Sequence, residues 1–144
     1  YYLEIIKDRI YNPDKRGKQA KQSAQFVLYN SLLNILKLFA PVMPHITEEI
    51  YQSYFSKKEK KKSIHISDWP KYEKKFMDEK MEKLGDEAIR IISKVRQFKS
   101  KHNKSLKSEI ILTLNKTKFK AFLKDLKAIT NAKEIKQGKF NVKF

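Results

Sequence analysis

Apolar residues in the first third of the chain recur every three or four positions, which is the spacing of one helix face. Leu3, Ile6 and Ile10 follow this spacing and predict a short helix over residues 1–11. A longer pattern over residues 18–40 predicts a second helix that packs against more than one neighbour. Its predicted buried stripe consists of Ala20, Ala24, Val27, Ser31, Ile35 and Leu38, widened by Leu28, Leu32 and Phe39.

Two prolines separate the long helix from a third one. Pro41 cannot continue a helix because it lacks a backbone N–H, whereas Pro44 stands in a first turn, where proline is tolerated. Residues 44–56 then carry two apolar rows, which are Ile46, Ile50 and Tyr54 in one and Tyr51 and Phe55 in the other. We expect a tight corner between two antiparallel helices, with Phe39, Ile46 and Ile50 buried.

The stretch after the third helix joins a basic run to a short apolar segment. Residues 57–62 predict a charged loop, and Ile64-His65-Ile66 alternates like an extended strand. Trp69 is interpreted as a hydrophobic plug against the helices, because aromatic side chains gain much free energy on burial. Stacking of Trp69 on a nucleotide base is the alternative.

Residues 73–100 carry the most regular helical pattern in the chain. The row of residues predicted to pack against neighbouring helices, here called the seam, consists of Met77, Met81, Leu84, Ala88, Ile91, Val95 and Phe98, at spacings of four and three. Such a seam is typical of helical bundles, and the methionines are interpreted as core fillers. Glycine costs about 1 kcal/mol relative to alanine in a helix, so a break or kink near Gly85 is expected.

The apolar period changes after residue 105. Ile110, Leu112 and Leu114 alternate like a strand, and residues 117–129 return to helical spacing. A short strand is predicted at Lys133–Ile135 and a turn at Gln137-Gly138, after which Phe140, Val142 and Phe144 alternate again. So short a β-α-β-β module cannot bury a core alone and should dock on the helices. The predicted fold is therefore mainly α, with an antiparallel helical bundle over residues 1–105 and a small α+β appendage over residues 106–144.

Charge then suggests a class of partner. The chain has 33 Lys+Arg against 16 Asp+Glu, a formal net charge of +17, which favours a polyanion. A lysine-rich composition alone is the competing explanation. There is no cysteine, which excludes disulfides and thiolate metal sites, and no apolar run approaches the roughly 20 residues of a membrane span. The chain opens on Tyr1 within a helical pattern, so we expect a piece of a longer protein. We also expect that protein to be monomeric and cytoplasmic.

Two segments together resemble a known family. Residues 38–51, which include Pro44-His45-Ile46-Thr47-Glu48-Glu49, and residues 63–70, which end in Trp69-Pro70, are similar to the anticodon-binding domain of the class I (class Ia) tRNA synthetases for valine, isoleucine and leucine. The version of the first segment found here is most similar to the valine group, since the isoleucine members more often carry phenylalanine where His45 stands. Tyr2-Leu3-Glu4, Lys7 and Arg9 also fit the helix that precedes the corner in this family.

The resemblance implies a function and its partners. A domain of this type binds the anticodon stem-loop of tRNA and belongs to a synthetase that uses ATP to attach its amino acid. ATP is implied only for a separate catalytic domain, whose His-Ile-Gly-His and Lys-Met-Ser-Lys-Ser signatures are absent from this sequence. The alternatives are the same domain from the isoleucine group and a structural helical module whose charge is compositional.

The residues themselves offer little for catalysis. Only three histidines are present, no two at a ligand spacing, and three scattered glycines cannot form a phosphate-binding loop. His45 is interpreted as a hydrogen-bonded corner residue. Of Glu48 and Glu49, one is expected to be a structural carboxylate paired with a lysine or arginine. We expect no catalytic residue, no metal site and no cofactor in this chain.

Basic side chains form three groups, at residues 15–21, 57–62 and 90–104. Arg90, Lys94 and Lys101 recur at helical spacing with Gln97 between them and therefore share one face. Lys94 and Lys101 are expected to contact phosphates. Arg96 and His102 are expected to contact bases, because their planar groups can stack. The full set expected to bind RNA is Arg16, Lys18, Arg90, Lys94, Arg96, Lys99, Lys101, His102 and Lys104.

Overall fold

The computed structural model describes all residues from Tyr1 to Phe144 and is mainly helical, with one small three-stranded sheet. The α-helices are α1 (Tyr2–Tyr11), α2 (Pro13–Arg16), α3 (Lys18–Phe39), α4 (Pro44–Tyr54), α5 (Ser56–Glu59), α6 (Glu79–Lys101) and α7 (Leu123–Thr130). The strands are β1 (Ile110–Leu114), β2 (Ala132–Gln137) and β3 (Asn141–Lys143). Short 3₁₀ turns occupy Ile64–Ile66, Lys74–Phe76 and Lys120–Phe122. The predicted β-α-β-β order is confirmed.

The chain divides into two compact units. The first, here called the α/β unit, contains Tyr1–Gly17 and Asp78–Phe144, and the second, the helical unit, contains Lys18–Met77. This division does not coincide with the boundary predicted at residue 105, because α6 shares a buried core with the sheet. Ala88, Ile92 and Val95 of α6 belong to the same buried cluster as the residues of β1.

The sheet of the α/β unit has the strand order β2-β1-β3. β1 runs parallel to β2, with Leu112 opposite Ile135, and antiparallel to β3, with Leu112 opposite Val142. The parallel pair requires a crossover, which α7 provides. Ile110, Leu112 and Leu114 are buried as their alternation predicts, so one face of the central strand forms the middle of the core.

Helix α6 is continuous, so the predicted break near Gly85 is wrong. Asp78 caps its start, where the side chain accepts hydrogen bonds of 3.0 Å from the backbone N–H groups of Lys80 and Met81; such a cap stabilises a helix by about 1 kcal/mol. The seam is also shifted from the predicted one. Ile92 and Lys99 are buried beside Ala88 and Val95, whereas the two methionines are exposed.

A buried carboxylate ties the first helices to the last one. Asp125 of α7 is 2 % exposed and accepts hydrogen bonds from Arg9 of α1 and Arg16 of α2. The Arg9 Nε lies 2.8 Å from Asp125 Oδ1, and this hydrogen bond raises the pKa of Arg9. Arg16 also lies 3.5 Å from Asp8. The ion cluster of Arg9, Arg16 and Asp125 therefore fixes α1 and α2 on α7.

Helices α3 and α4 pack on each other in the helical unit, with a turn at Pro41 between them. Their buried core consists of Leu33, Leu36, Ala40, Tyr51, Phe55 and Ile64. The corner is confirmed, but the predicted buried face is wrong, since Ile35, Leu38, Phe39 and Ile46 are exposed and Ile50 is half-buried. Apolar residues surround much of α3, so their spacing could not identify which side faces α4.

The segment after α4 also differs from its prediction. Of the predicted loop over residues 57–62, residues 57–59 are helical and residues 60–62 lie outside any helix, and Ile64–Ile66 forms a 3₁₀ turn where a strand was expected. Trp69 is 60 % exposed, so the interpretation of Trp69 as a plug is wrong. Ile64 fills that role, because it is buried against Tyr51 and Phe55.

Glu48 holds this segment against α4. Its carboxylate accepts hydrogen bonds from Gln52 (2.6 Å), the Ser63 hydroxyl (2.8 Å) and the Ile64 backbone N–H (2.9 Å). Partial burial acts to raise the pKa of Glu48, but these hydrogen bonds outweigh it and lower the pKa below its ordinary value. Glu48 is thus a structural carboxylate, although its partners are not the lysine or arginine that the sequence suggested.

We predict that replacing Asp125 with asparagine destabilises the protein by about 3–5 kcal/mol, because it removes the buried carboxylate that Arg9 and Arg16 share and leaves the buried Arg16 guanidinium with only Asp8, 3.5 Å away. The measurement is urea unfolding followed by circular dichroism. Asp86→Asn, at an exposed position of α6, is the matched control and should change stability by less than about 0.5 kcal/mol. Equal stabilities of the two variants would contradict a structural role for the ion cluster.

We predict that Glu48→Gln lowers stability at neutral pH by about 1 kcal/mol, a modest value because the carboxylate is partly exposed. A carboxyl group whose pKa is lowered by folding stabilises the protein above its unfolded pKa of about 4.3, and this contribution is lost as pH falls through the folded pKa. The difference between wild type and Glu48→Gln should therefore shrink on acidification. Glu49→Gln, at an exposed neighbour, should show no such convergence; a constant difference for Glu48→Gln would refute the assignment.

Candidate nucleic-acid interface

One face of α6 carries regularly spaced polar and basic side chains. Arg90, Lys94, Gln97 and Lys101 are all exposed and lie on one side of the helix, as their spacing of four, three and four residues predicts. The opposite side contains Ala88, Ile92 and Val95 and is buried against the sheet. The core thus fixes the direction in which the basic face points.

The turn between β2 and β3 lies beside this face and forms a groove with it. One part, of about 540 Å³, lies between α6 at Arg90 and Lys94 and the loops at Asn115–Lys118 and Gly138–Phe140. A second part, of about 280 Å³, continues between Gln97 and Lys101 of α6 and residues 140–142. Both parts include Lys94 and Phe140. We call the two parts together the basic groove.

The charge of the basic groove is strongly positive. Its basic side chains are Arg90, Lys94, Lys101, Lys118 and Lys139, and its one acidic side chain is Glu87. Glu87 lies 2.5 Å from Lys118 and is neutralised by it. The remaining cations have no paired carboxylate in the structure, so the groove suits the phosphates of a nucleic-acid backbone.

Lys99 does not belong to the exposed basic face, contrary to its assignment as an RNA-binding residue. Its side chain is 1 % exposed, and its ammonium donates hydrogen bonds of 2.8 Å to the carbonyl oxygens of Leu106 and Thr130. Burial lowers the pKa of Lys99. Lys99 connects the end of α6 to the following loop and to α7, and it cannot contact RNA from this position.

Arg16 was also predicted to bind RNA, but the structure places it elsewhere. The Arg16 guanidinium lies in the ion cluster with Asp125, and its Nε is buried, so Arg16 has a structural role. Arg96 is half-buried, with its guanidinium 5.4 Å from the ring centre of Tyr1. Lys18 and Lys104 are exposed, but Lys18 lies in the helical unit and Lys104 does not line the basic groove.

His102 ends α6 and is held by its neighbours. Its Nδ1 lies 2.8 Å from the carbonyl oxygen of Phe98, and because a carbonyl can only accept, Nδ1 carries the proton. The ring packs 4.3 Å from the Phe98 ring, centre to centre. The Nε2 atom has no partner in the structure, which leaves one edge of an oriented imidazole exposed to solvent.

Three groove residues were missed by the sequence reasoning, namely Lys118, Lys139 and Phe140. Basic residues beyond position 104 were not grouped, and Phe140 was predicted to be part of an alternating strand. A usable signal was the predicted turn at Gln137-Gly138, because residues directly after a tight turn need not follow the strand's core alternation. The packing of the sheet on α6 was needed to show that this turn lies beside the basic face.

No group of three or more His, Asp or Glu side chains is arranged to hold a metal ion. No helix is both long and apolar enough to cross a lipid bilayer.

The family of the chain follows from comparison with known proteins. Residues 1–115 match the family model of the anticodon-binding domain of tRNA ligase, and the chain belongs to this family. Among curated relatives, the valine–tRNA ligase of Rickettsia felis is 38 % identical over 138 residues, covering 93 % of this chain and 15 % of that protein. The valine–tRNA ligase of Thermococcus kodakarensis is 41 % identical over 109 residues, covering 76 % of this chain and 12 % of that protein. The chain thus spans about an eighth to a sixth of the length of such relatives.

We predict that two lysines on opposite sides of α6, Lys99 and Lys101, differ in how much their replacement changes stability. Lys99→Met should lower the free energy of unfolding by about 1–3 kcal/mol, because it leaves the carbonyls of Leu106 and Thr130 without a donor. Lys101→Met removes the same charge from an exposed site and should change stability by less than about 0.5 kcal/mol. Chemical unfolding of both variants is the measurement, and an unchanged stability for Lys99→Met would contradict the structural role of Lys99.

Proposed function

We propose that this chain is the tRNA-binding module of a valine–tRNA ligase and that it binds the anticodon stem-loop of its tRNA. The observation that carries the proposal is the combined match to the anticodon-binding family and to valine–tRNA ligases over most of the chain. These relatives favour the valine group over the isoleucine group. The basic groove supports the proposal independently, since it offers unpaired cations on a rigid helix.

The proposal extends to the protein that contains this module. That protein attaches valine to its tRNA with ATP, and the chemistry belongs to another domain, while this chain supplies binding and holds no cofactor. We further propose a monomer in the cytoplasm, with the remaining synthetase domains and tRNA as partners. The antiparallel bundle expected for class Ia anticodon-binding domains is also part of the proposal, and the direct packing of α3 on α4 supports it.

The members of the RNA-binding set other than Arg16 and Lys99 have distinct roles in this proposal. Arg90, Lys94 and Lys101 contact phosphates, because their charges are exposed on the wall of the groove. Arg96 and His102 contact bases through their planar groups. Lys18 and Lys104 add general attraction to the RNA backbone. Binding releases counterions from the RNA, so affinity must fall as salt concentration rises.

The test is to measure binding of the chain to a valine-anticodon stem-loop over a series from about 50 to 200 mM salt, a range over which phosphate-dominated binding weakens steeply. The triple variant Arg90→Ala, Lys94→Ala, Lys101→Ala should bind more weakly. For every phosphate that the variant no longer neutralises, the slope of log affinity against log salt should fall by about 0.7–0.9.

The matched control removes three positive charges elsewhere. Lys120→Ala, Lys124→Ala and Lys127→Ala together change exposed lysines that line neither part of the groove. This control should keep most of the affinity and nearly the full salt slope. If both triple variants lose affinity and slope equally, net charge and not the groove determines binding. If wild type shows no salt-dependent binding to the stem-loop, the proposed function is wrong.

A further inference from the structure

The turn between β2 and β3 is held close to the sheet. The backbone N–H of Gly138 donates a hydrogen bond of 3.1 Å to the carbonyl oxygen of Leu114. Gly138 has a φ of 157°, and a Cβ atom at this position would lie 2.9 Å from the Thr113 side chain, so any other residue would be strained and would force Thr113 to shift. The close approach fixes where the next two residues, Lys139 and Phe140, leave the sheet.

Phe140 has no place in the core of the α/β unit. Its side chain is 39 % exposed, whereas Val142, two residues later on β3, is 8 % exposed. Phe140 lies before the first residue of β3 and is therefore free of the alternation that directs Val142 into the core. Phe140 lines both parts of the basic groove. A large aromatic side chain is therefore exposed where the two parts of the basic groove meet.

The surroundings of Phe140 match what single-stranded nucleic acid requires. Grooves that bind single strands combine cations that follow the phosphates with aromatic rings on which bases stack. The Lys94 ammonium lies over the Phe140 ring, 5.4 Å from its centre, so one ring face is directed toward the α6 side of the groove and is covered by that ammonium. Lysine is flexible enough to move from the ring to a nearby phosphate, and this movement would free the ring face for a base.

Amide side chains lie along the same groove. Gln97 and Asn141 line one part and Asn115 lines the other. The Asn115 and Asn141 side-chain oxygens already accept hydrogen bonds from the backbone N–H groups of Lys118 (3.1 Å) and Val142 (2.9 Å), so these two residues offer mainly their NH₂ groups as donors. The Gln97 amide can both donate to and accept from the edge of a base that is not paired to another base. Paired bases in an RNA helix present neither a free stacking face nor a free pairing edge to such a groove.

We propose that Phe140 is a stacking platform for an unpaired base of the bound RNA, and that the β2–β3 turn thereby makes the α+β appendage a second RNA-contacting element beside α6. The inference rests on the proposed function, because it takes RNA as the ligand. It adds a chemical requirement, which is that the base at Phe140 must be unpaired.

The experiment compares Phe140→Leu with Phe140→Tyr, using two RNA probes. One probe is a hairpin with an unpaired anticodon-type loop, and the other is a blunt duplex of equal length. Phe140→Leu keeps apolar bulk but removes the ring, and it should weaken hairpin binding by about 5- to 150-fold, the range for loss of one stacked base. The salt slope should stay unchanged, because no charge is removed. Phe140→Tyr keeps the ring and should bind the hairpin like wild type.

The duplex probe and a control variant outside the groove, Phe76→Leu, separate the effect of stacking from other effects on binding. Duplex binding should be equally strong for wild type and Phe140→Leu. Phe76→Leu replaces another exposed phenylalanine, in the helical unit, and should leave both affinities unchanged. A fluorescent base analogue in the loop should be quenched on binding to wild type and Phe140→Tyr, but less so with Phe140→Leu.

Three results would overturn the inference. Hairpin affinity could be unaffected by Phe140→Leu while wild type still binds with the expected salt dependence, in which case the proposed function survives and the stacking platform does not. The variant could weaken duplex and hairpin equally, which would indicate a general change of the groove. Absence of any RNA binding by wild type would remove the proposed function and the inference together.

Discussion

The α/β unit depends on one buried charge. Asp125 lies on α7, and its two arginine partners lie on α1 and α2, so the ion cluster joins segments that are 116 and 109 residues apart in the chain. Removing charges from water is costly, and a buried pair is tolerated only when its geometry satisfies the groups involved. Here one carboxylate meets two guanidinium groups. The cluster therefore ties α1 and α2 to one position on α7, because hydrogen bonds between guanidinium and carboxylate groups require a definite geometry.

The same unit shows how a structural core can orient a functional surface. Helix α6 uses one side for the core with β1 and the other for the basic groove. Lys99 fixes the end of this helix through the carbonyls of Leu106 and Thr130. The exposed cations consequently project from a helix that cannot rotate without breaking the core. A rigid support of this kind keeps the ordering cost of binding low.

The sequence predicted the elements better than their packing. The positions of α3, α4, α6 and the strands follow from apolar period and from the two prolines, because these features act locally. The buried side of α3 was not predictable, since Leu36 and Ile35 are equally apolar and only the position of α4 distinguishes them. Lys99 was misassigned for a related reason. Its charge predicts exposure, and only the two carbonyl oxygens that surround its ammonium explain why it is buried.

The family could be identified from the motifs around Pro44 and Trp69, but the candidate site could not be completed from them. Arg90, Lys94 and Lys101 share a face by helical spacing alone, so half of the basic groove was predictable. The other half comes from a turn that lies more than 35 residues further along the chain. No local pattern relates Phe140 to Lys94, and only the docking of the sheet on α6 places them together.

The discontinuity of the α/β unit has a consequence for its synthesis. The helical unit is continuous in sequence, whereas α1 must find α7 across the whole of the chain between them. At about 5–20 residues per second on a ribosome, the 116 residues separating Arg9 from Asp125 correspond to a delay of roughly 6–23 s. During that interval the helical unit can fold, but Arg9 and Arg16 lack the Asp125 carboxylate, and Arg16 has only Asp8 nearby. A nascent chain should therefore expose Arg9 and Arg16 until translation is nearly past α7, and this is the period in which chaperones have most to protect.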